Sequence, residues 1–90
     1  MTSDKSFPLH VVTPRELFFT GEAEMVIVRT IDGEEGCMKN HQWGITLLAD
    51  DGRLQIRLPG EKEKKTAWIK GGHIDVKDRI VVYTEEAGWK

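Results

Sequence analysis

Strict alternation of apolar and polar residues constrains this chain more than any other feature. In "RLQIRL", residues 53–58, Arg53, Gln55 and Arg57 occupy one face and Leu54, Ile56 and Leu58 the other. Successive side chains of a β-strand point to opposite sides of a sheet, so this pattern predicts a half-buried strand. "HIDVK" (73–77) alternates the same way, with Ile74 and Val76 facing inward. "MVIV" (25–28) and "IVVY" (80–83) are apolar on both faces and β-branched, which predicts strands covered on both sides. A sandwich this small normally covers only the inward face of each sheet. Two readings remain: strand ends and loops fold over the outer face, or a partner protein supplies the cover.

The segments between these runs carry turn chemistry. Asp50-Asp51-Gly52 precedes the 53–58 strand, and its Asp-Gly pair predicts a tight hairpin with positive φ. "PGEKEKK" (59–65) reads as a charged hairpin tip; its mixed signs favour a solvated loop over a binding patch. Gly71-Gly72 predicts a sharp turn or a close approach of two backbones. Thr13-Pro14-Arg15-Glu16 has the spacing of a helix capping box, with proline at the first helical position. The next residues, Phe18-Phe19-Thr20-Gly21, are too few and too aromatic to sustain a helix, so the box reads as a turn into a short strand. The fold class expected is all-β, a flattened antiparallel β-sandwich or barrel of about ten short strands. Residues 1–6 are expected to form a flexible tail, with residues 7–90 as the single domain.

Ninety residues leave no room for a second core. A net charge of −2 argues against a nucleic-acid binder, which would carry a basic excess. One cysteine permits no internal disulfide and suits a reducing compartment. Met1–Ser6 lacks the apolar run of a secretory signal, and no apolar stretch approaches the ~18 residues that span a bilayer. Any membrane role is therefore expected to come through another protein.

Residues 33–43, "GEEGCMKNHQW", concentrate the unusual chemistry. Cys37 and His41 lie four apart without a second ligand pair, which is a weak metal signature, since a structural zinc site needs four ligands and a catalytic one three. A Cys37 nucleophile with His41 as base lacks an identifiable orienting group. Glu34 and Glu35 are adjacent, so on a strand they would face opposite ways rather than share a proton. Gly33 and Gly36 lack the Lys and Ser/Thr of a phosphate loop. No active site, cofactor site or metal site is expected, and the stretch reads as a surface loop shaped to be gripped. Two rival readings stay open. A generic β-sandwich binding module, for carbohydrate or a protein ligand, would use Trp43, Trp68 and Trp89 as an exposed platform. A small metal-dependent enzyme would use Cys37 and His41.

Taken in order, "LHVVTP" (9–14), "FTGEAEMVIVRTIDGEEG" (19–36), "NH" (40–41), "TLL" (46–48), "DGRLQI" (51–56) and "IKGGHIDVKDRIVVYTEEA" (69–87) resemble the β-sandwich domain of the epsilon subunit of F-type ATP synthase. The likeness runs from residue 7 to residue 89. It implies a non-catalytic subunit of the rotor, or central stalk, coupling the gamma subunit to the membrane-embedded c-ring during proton- or sodium-driven ATP synthesis. It further implies a peripheral complex on the cytoplasmic face of a bacterial plasma membrane, with the isolated domain soluble. Carried over by position, Thr13 falls where the family faces gamma. Gly33, Glu34, Glu35 and Gly36 fall where it reaches the c-ring polar loops, and His41 at the family's histidine nearby. The chain departs at Trp43, where a proline is usual, and at His73, where an aromatic is common. Many relatives continue into a helical hairpin that inhibits hydrolysis and in some cases binds ATP. This sequence stops at Lys90, so neither ATP binding nor hairpin inhibition is expected of it.

Overall fold

The computed structural model describes residues 6–37 and 44–90, the side chains of Glu35 and Cys37 excepted. Ten strands follow one another: β1 (Phe7–Val12), β2 (Leu17–Ala23), β3 (Met25–Thr30), β4 (Gly33–Cys37), β5 (Gly44–Leu47), β6 (Arg53–Arg57), β7 (Lys65–Ile69), β8 (His73–Val76), β9 (Ile80–Tyr83) and β10 (Ala87–Trp89). They form two five-stranded sheets, ordered β2-β1-β9-β8-β5 and β10-β7-β6-β3-β4. The all-β sandwich expected from the alternation is the one observed. One pairing departs from an antiparallel plan: β1 and β9 run parallel, Leu9 opposite Ile80 through Val12 opposite Tyr83. Parallel neighbours need a long connection, and here most of the chain supplies it.

The core is the set of inward positions of both sheets. Leu9, Val11, Val26, Val28, Leu54, Ile56, Ile74 and Val82 are fully buried, and Val76 nearly so. At about 1.5–3 kcal/mol for each fully buried aliphatic side chain, this layer dominates the energetics of folding. The doubly apolar runs divide. In β9, Ile80 and Val82 face the core, and Val81 is buried on the outer face between His10 of β1 and Asp75 of β8, its register neighbours. Tyr83 stays 41% exposed, so the outer cover stops short of it. In β3, Val26 and Val28 face inward while Met25 and Ile27 are half-buried outside.

The turns hold two corrections. Asp50-Asp51-Gly52 is not a hairpin: β5 and β6 lie in different sheets, so the segment crosses between layers. Gly52 has no positive φ. A Cβ on it would come within 3.1 Å of the Ala49 carbonyl oxygen and of Ile69 Cγ1, so the glycine serves close packing. Gly33–Gly36 is not a loop either. It belongs to β4, paired with β3 from Val26 opposite Cys37 to Thr30 opposite Gly33. Thr30 closes the turn before it, its Oγ1 donating to the Gly33 carbonyl at 3.0 Å and accepting from the Asp32 amide at 3.1 Å. Elsewhere the turns match the sequence. Residues between β6 and β7 form the charged hairpin tip, with Gly60 at φ +79°. Thr13 Oγ1 accepts from the amides of Arg15 and Glu16, making the cap contacts without a helix, and the chain passes into β2. Ser6, expected in the tail, is buried and donates to Glu22 Oε1 at 3.0 Å.

Gly71 and Gly72 combine both expected roles. Each has positive φ, +58° and +102°, and a Cβ on Gly72 would fall on the carbonyl of Tyr83 in the neighbouring strand. Gly72→Ala is expected to cost roughly 3 kcal/mol or more of stability, since strain and clash add. Gly60→Ala, with positive φ but open space around it, should cost about 1 kcal/mol. Urea unfolding of both variants measures the difference; equal costs would mean the close approach at Gly72 is unimportant.

Candidate docking faces

Once the inward residues are fixed, alternation decides what each outer face presents. On the β2-β1-β9-β8-β5 sheet, register sets Leu47 opposite His73, His73 opposite Tyr83, Tyr83 opposite Val12, and Val12 opposite Leu17. Directly opposed residues share a face, so these five form a row across all five strands. Leu17 and Leu47, at its two ends, are 55% and 57% exposed. In the middle the His73 and Tyr83 rings stack at 4.7 Å. Ile45, two residues before Leu47, and Ile31, whose amide donates to the Leu47 carbonyl at 3.2 Å, extend the apolar surface at the β5 side. The irregularity at Val11/Val12 keeps Leu17 in this row and frees Phe18 to turn to the sandwich edge, as β-bulges re-aim side chains. Phe18 stacks there on Trp89 of β10 at 4.7 Å, with Phe19 edge-on at 6.1 Å, pinning the edges of the two sheets together.

The other outer face is polar and basic. Register sets Glu34 opposite Arg29 on this face, and Arg53 opposite Trp68, which in turn faces Gly88. Glu34 Oε2 accepts from Arg53 Nη2 at 2.8 Å, reaching past Arg29. Both side chains are more than 40% exposed, so solvent screens the pair and its effect on stability is small. The Arg53 hydrogen bond, followed by the charges of Arg53 and Arg29, holds the Glu34 carboxyl below the ordinary glutamate range against slight desolvation. Trp68 lies against Gly88, where an added Cβ would meet the indole at 2.6 Å.

The residues singled out in the sequence are not gathered at one place. Thr13 sits at the end of the apolar row, immediately after Val12 and in the turn leading to the edge strand β2. Gly33, Glu34, Glu35 and Gly36 lie in β4, the edge strand of the other sheet. His41 and Trp43 lie outside the described residues. No group of three or more metal-ligating side chains gathers among the described residues. Trp68 and Trp89 do not make a shared platform: one covers Gly88 and the other is stacked on Phe18. The apolar row is hidden in the sequence because Leu17, Leu47 and Tyr83 come from three distant segments. Its one local signal is "GITL" (44–47), apolar at both outward positions of an edge strand.

A two-layer sandwich with one apolar and one basic outer face, carrying its distinctive residues on surfaces and edges, is the class these features define. The chain matches the model of the family described as ATP synthase, Delta/Epsilon chain, beta-sandwich domain over residues 6–90, and it belongs to that family. It is 42% identical to the ATP synthase epsilon chain of Persephonella marina over 90% of its own length and 59% of that relative's. With the epsilon chain of Caldanaerobacter subterraneus it shares 38% identity, covering 96% of this chain and 62% of the relative. The chain thus spans about three-fifths of these curated relatives. The Chlorobium limicola epsilon chain, 35% identical, is covered over 96% of its length, against 94% of this chain. Among solved structures, a chain of the Euglena gracilis mitochondrial ATP synthase (OSCP/F1/c-ring, rotational state 1) superposes with a TM-score of 0.84 at 25% identity, covering 93% of this chain and 53% of that one. A chain of the Tetrahymena thermophila mitochondrial ATP synthase central stalk and c-ring, with TM-score 0.78 at 13% identity, shares the fold.

The Glu34–Arg53 pair gives a signed expectation. Replacing Arg53 with Gln should raise the Glu34 pKa toward the ordinary range, as read by NMR titration of its side-chain carboxyl. Because the folded-state pKa is lowered, the pair's contribution is present above the unfolded glutamate pKa, about 4.3. It is lost as pH falls through the folded value. An unchanged Glu34 titration in Arg53→Gln would show that the contact does not hold the carboxylate.

Proposed function

We propose that this chain acts as a non-catalytic rotor block of an F-type ATP synthase, held against a gamma-type stalk subunit by the outer face of the β2-β1-β9-β8-β5 sheet. The observation that carries this reading is the row Leu47, His73, Tyr83, Val12, Leu17. Stable interfaces have an apolar, aromatic-rich centre and bury roughly 1,200 Å² or more, and a row spanning a whole sheet suits one. Thr13, at the end of this row, falls on the gamma-facing side that the family likeness implies.

Gly33, Glu34, Glu35 and Gly36 are proposed as the contact with the c-ring polar loops, together with His41. An edge strand offers backbone groups as well as carboxylates to such loops. Glu34 is already paired with Arg53, so a cationic loop would compete with an internal guanidinium for it. This makes the c-ring contact exchangeable, in contrast to the apolar row.

No helix among the described residues is long and apolar enough to cross a bilayer. The chain's attachment on the cytoplasmic side would come through the complex. Each proton moved delivers about 2.3 kcal/mol per 100 mV, and a rotor part must transmit that work without yielding. Close-packed interiors compress little, so a sandwich with a fully buried core transmits torque well.

Co-elution with a gamma subunit tests the face. Paired Leu47→Asp and Tyr83→Asp substitutions should weaken the complex by at least about tenfold while the circular dichroism of the chain is kept. Full retention of binding would move the interface elsewhere. Glu34→Lys should reduce assembly with the c-ring and leave the melting temperature of the free chain close to wild type. A large drop in melting temperature would instead make the residue structural.

A further inference from the structure

The basic outer face, opposite the apolar row, has a use that the docking role does not require. Register sets Arg53 of β6 opposite Trp68 of β7, and Gln55 opposite Thr66. Lys90 continues the ladder past β10, its amide donating to the Thr66 carbonyl at 2.9 Å. Over these strands lies an open groove of about 620 Å³, walled by Arg53, Gln55, Lys64, Lys65, Thr66 and Lys90 and closed at one edge by Trp89. That volume falls within the ~300–1,000 Å³ usual for small-ligand sites.

Four cations thus converge on one groove in a chain whose net charge is −2. No aspartate or glutamate side chain stands in the wall. The nearest acid on the same face, Glu34, binds Arg53 from the side through Nη2. Glu61 and Glu63 line an adjoining hollow at the hairpin tip, which shares Lys64 and Lys65 with the groove. Among the described residues, Lys64, Lys65 and Lys90 are held in no ion pair. Of the groove cations, Arg53 has its Nε shut off from solvent without a protein acceptor, an unfavourable state that an oxyanion drawing the guanidinium outward would relieve.

We propose that this groove binds a small phosphate-bearing anion of at least two negative charges. A single carboxylate would leave most of the cationic wall uncompensated, whereas a terminal phosphate (a phosphomonoester) carries about −1.5 to −2 at neutral pH with three strong acceptor oxygens. The arginine fork matches two of those oxygens. The lysines add point charges, and the Thr66 hydroxyl and Gln55 amide add neutral donors. The site lies on the sheet opposite the apolar row, so it stands or falls independently of the gamma-facing reading.

Calorimetric titration of the 90-residue chain with inorganic tripolyphosphate at low salt tests the site. Wild type should bind one equivalent with a Kd below about 1 mM. Lys64→Glu/Lys90→Glu should weaken this by at least about tenfold, since both residues are exposed and their reversal leaves the core untouched. Lys77→Glu, in the β8–β9 turn, should bind as wild type does. Independently of any variant, N–H shifts in wild type should map to the amides of Thr66 and Lys90 and to the Trp89 indole. Co-sedimentation with phosphatidic acid vesicles, whose headgroup is a phosphomonoester, against phosphatidylcholine vesicles separates the sources: pelleting with the anionic vesicles alone would assign the phosphate to a lipid headgroup, and soluble binding alone to a free anion. The proposal is overturned if neither probe binds, if the double variant binds like wild type, or if Lys77→Glu loses as much affinity as the double variant.

Discussion

Burying one face of every strand between two sheets dictates nearly everything else about this molecule. Leu9, Val11, Val26, Val28, Leu54, Ile56, Ile74 and Val82 occupy those closed positions with no solvent exposure. A slip of one residue in any strand would turn its apolar set outward and its charged set inward. The register is therefore strongly held, and the outer faces inherit it. Leu47, His73, Tyr83, Val12 and Leu17 line up because their neighbours one position away are needed in the core. The arginines of β6 line up on the opposite side for the same reason.

Edges are the weak points of such a design, since an edge strand offers unpaired backbone groups. At one side the sandwich is pinned by aromatic contact, Trp89 of β10 against Phe18 and Phe19 of β2. At the other it is tied by backbone: a bridge between Thr30 and Leu48, with the Ala49 amide donating to the Arg29 carbonyl at 3.0 Å. Trp89, which reads in the sequence as part of a ligand platform, is thus explained by closure. Aromatic residues bring large buried area and specific ring geometry, which suits them to pinning a seam.

The two outer faces suit different kinds of attachment. An apolar row excludes water and holds a partner permanently, whereas an exposed ion pair such as Glu34–Arg53 is screened and readily exchanged. A block that must stay fixed to one neighbour while meeting another would benefit from having both. The Arg53 hydrogen bond that holds the Glu34 carboxyl below the ordinary glutamate range belongs to this exchangeable contact.

The amino-acid order carries the period, and with it the strands, the inward residues of β6 and β8, the hairpin tip after β6 and the strained glycines before β8. Each of these depends on residues within a few positions of one another, where alternation and turn chemistry act directly. Family membership was legible too, because it rests on an ordered set of such local features. Which strand lies beside which was settled only in three dimensions. Asp50-Asp51-Gly52 has hairpin chemistry, yet β5 finds its partner in β8 and β6 in β3 and β7, so the segment crosses between layers. Gly33–Gly36 has loop composition, yet pairing with β3 makes it a strand, since ladder hydrogen bonds outweigh the weak β-propensity of glycine. The parallel meeting of β1 with β9, and hence the apolar row and the basic groove, joins residues far apart in the chain. Local preference carries no information about such meetings; they follow from which arrangement of sheets closes the core.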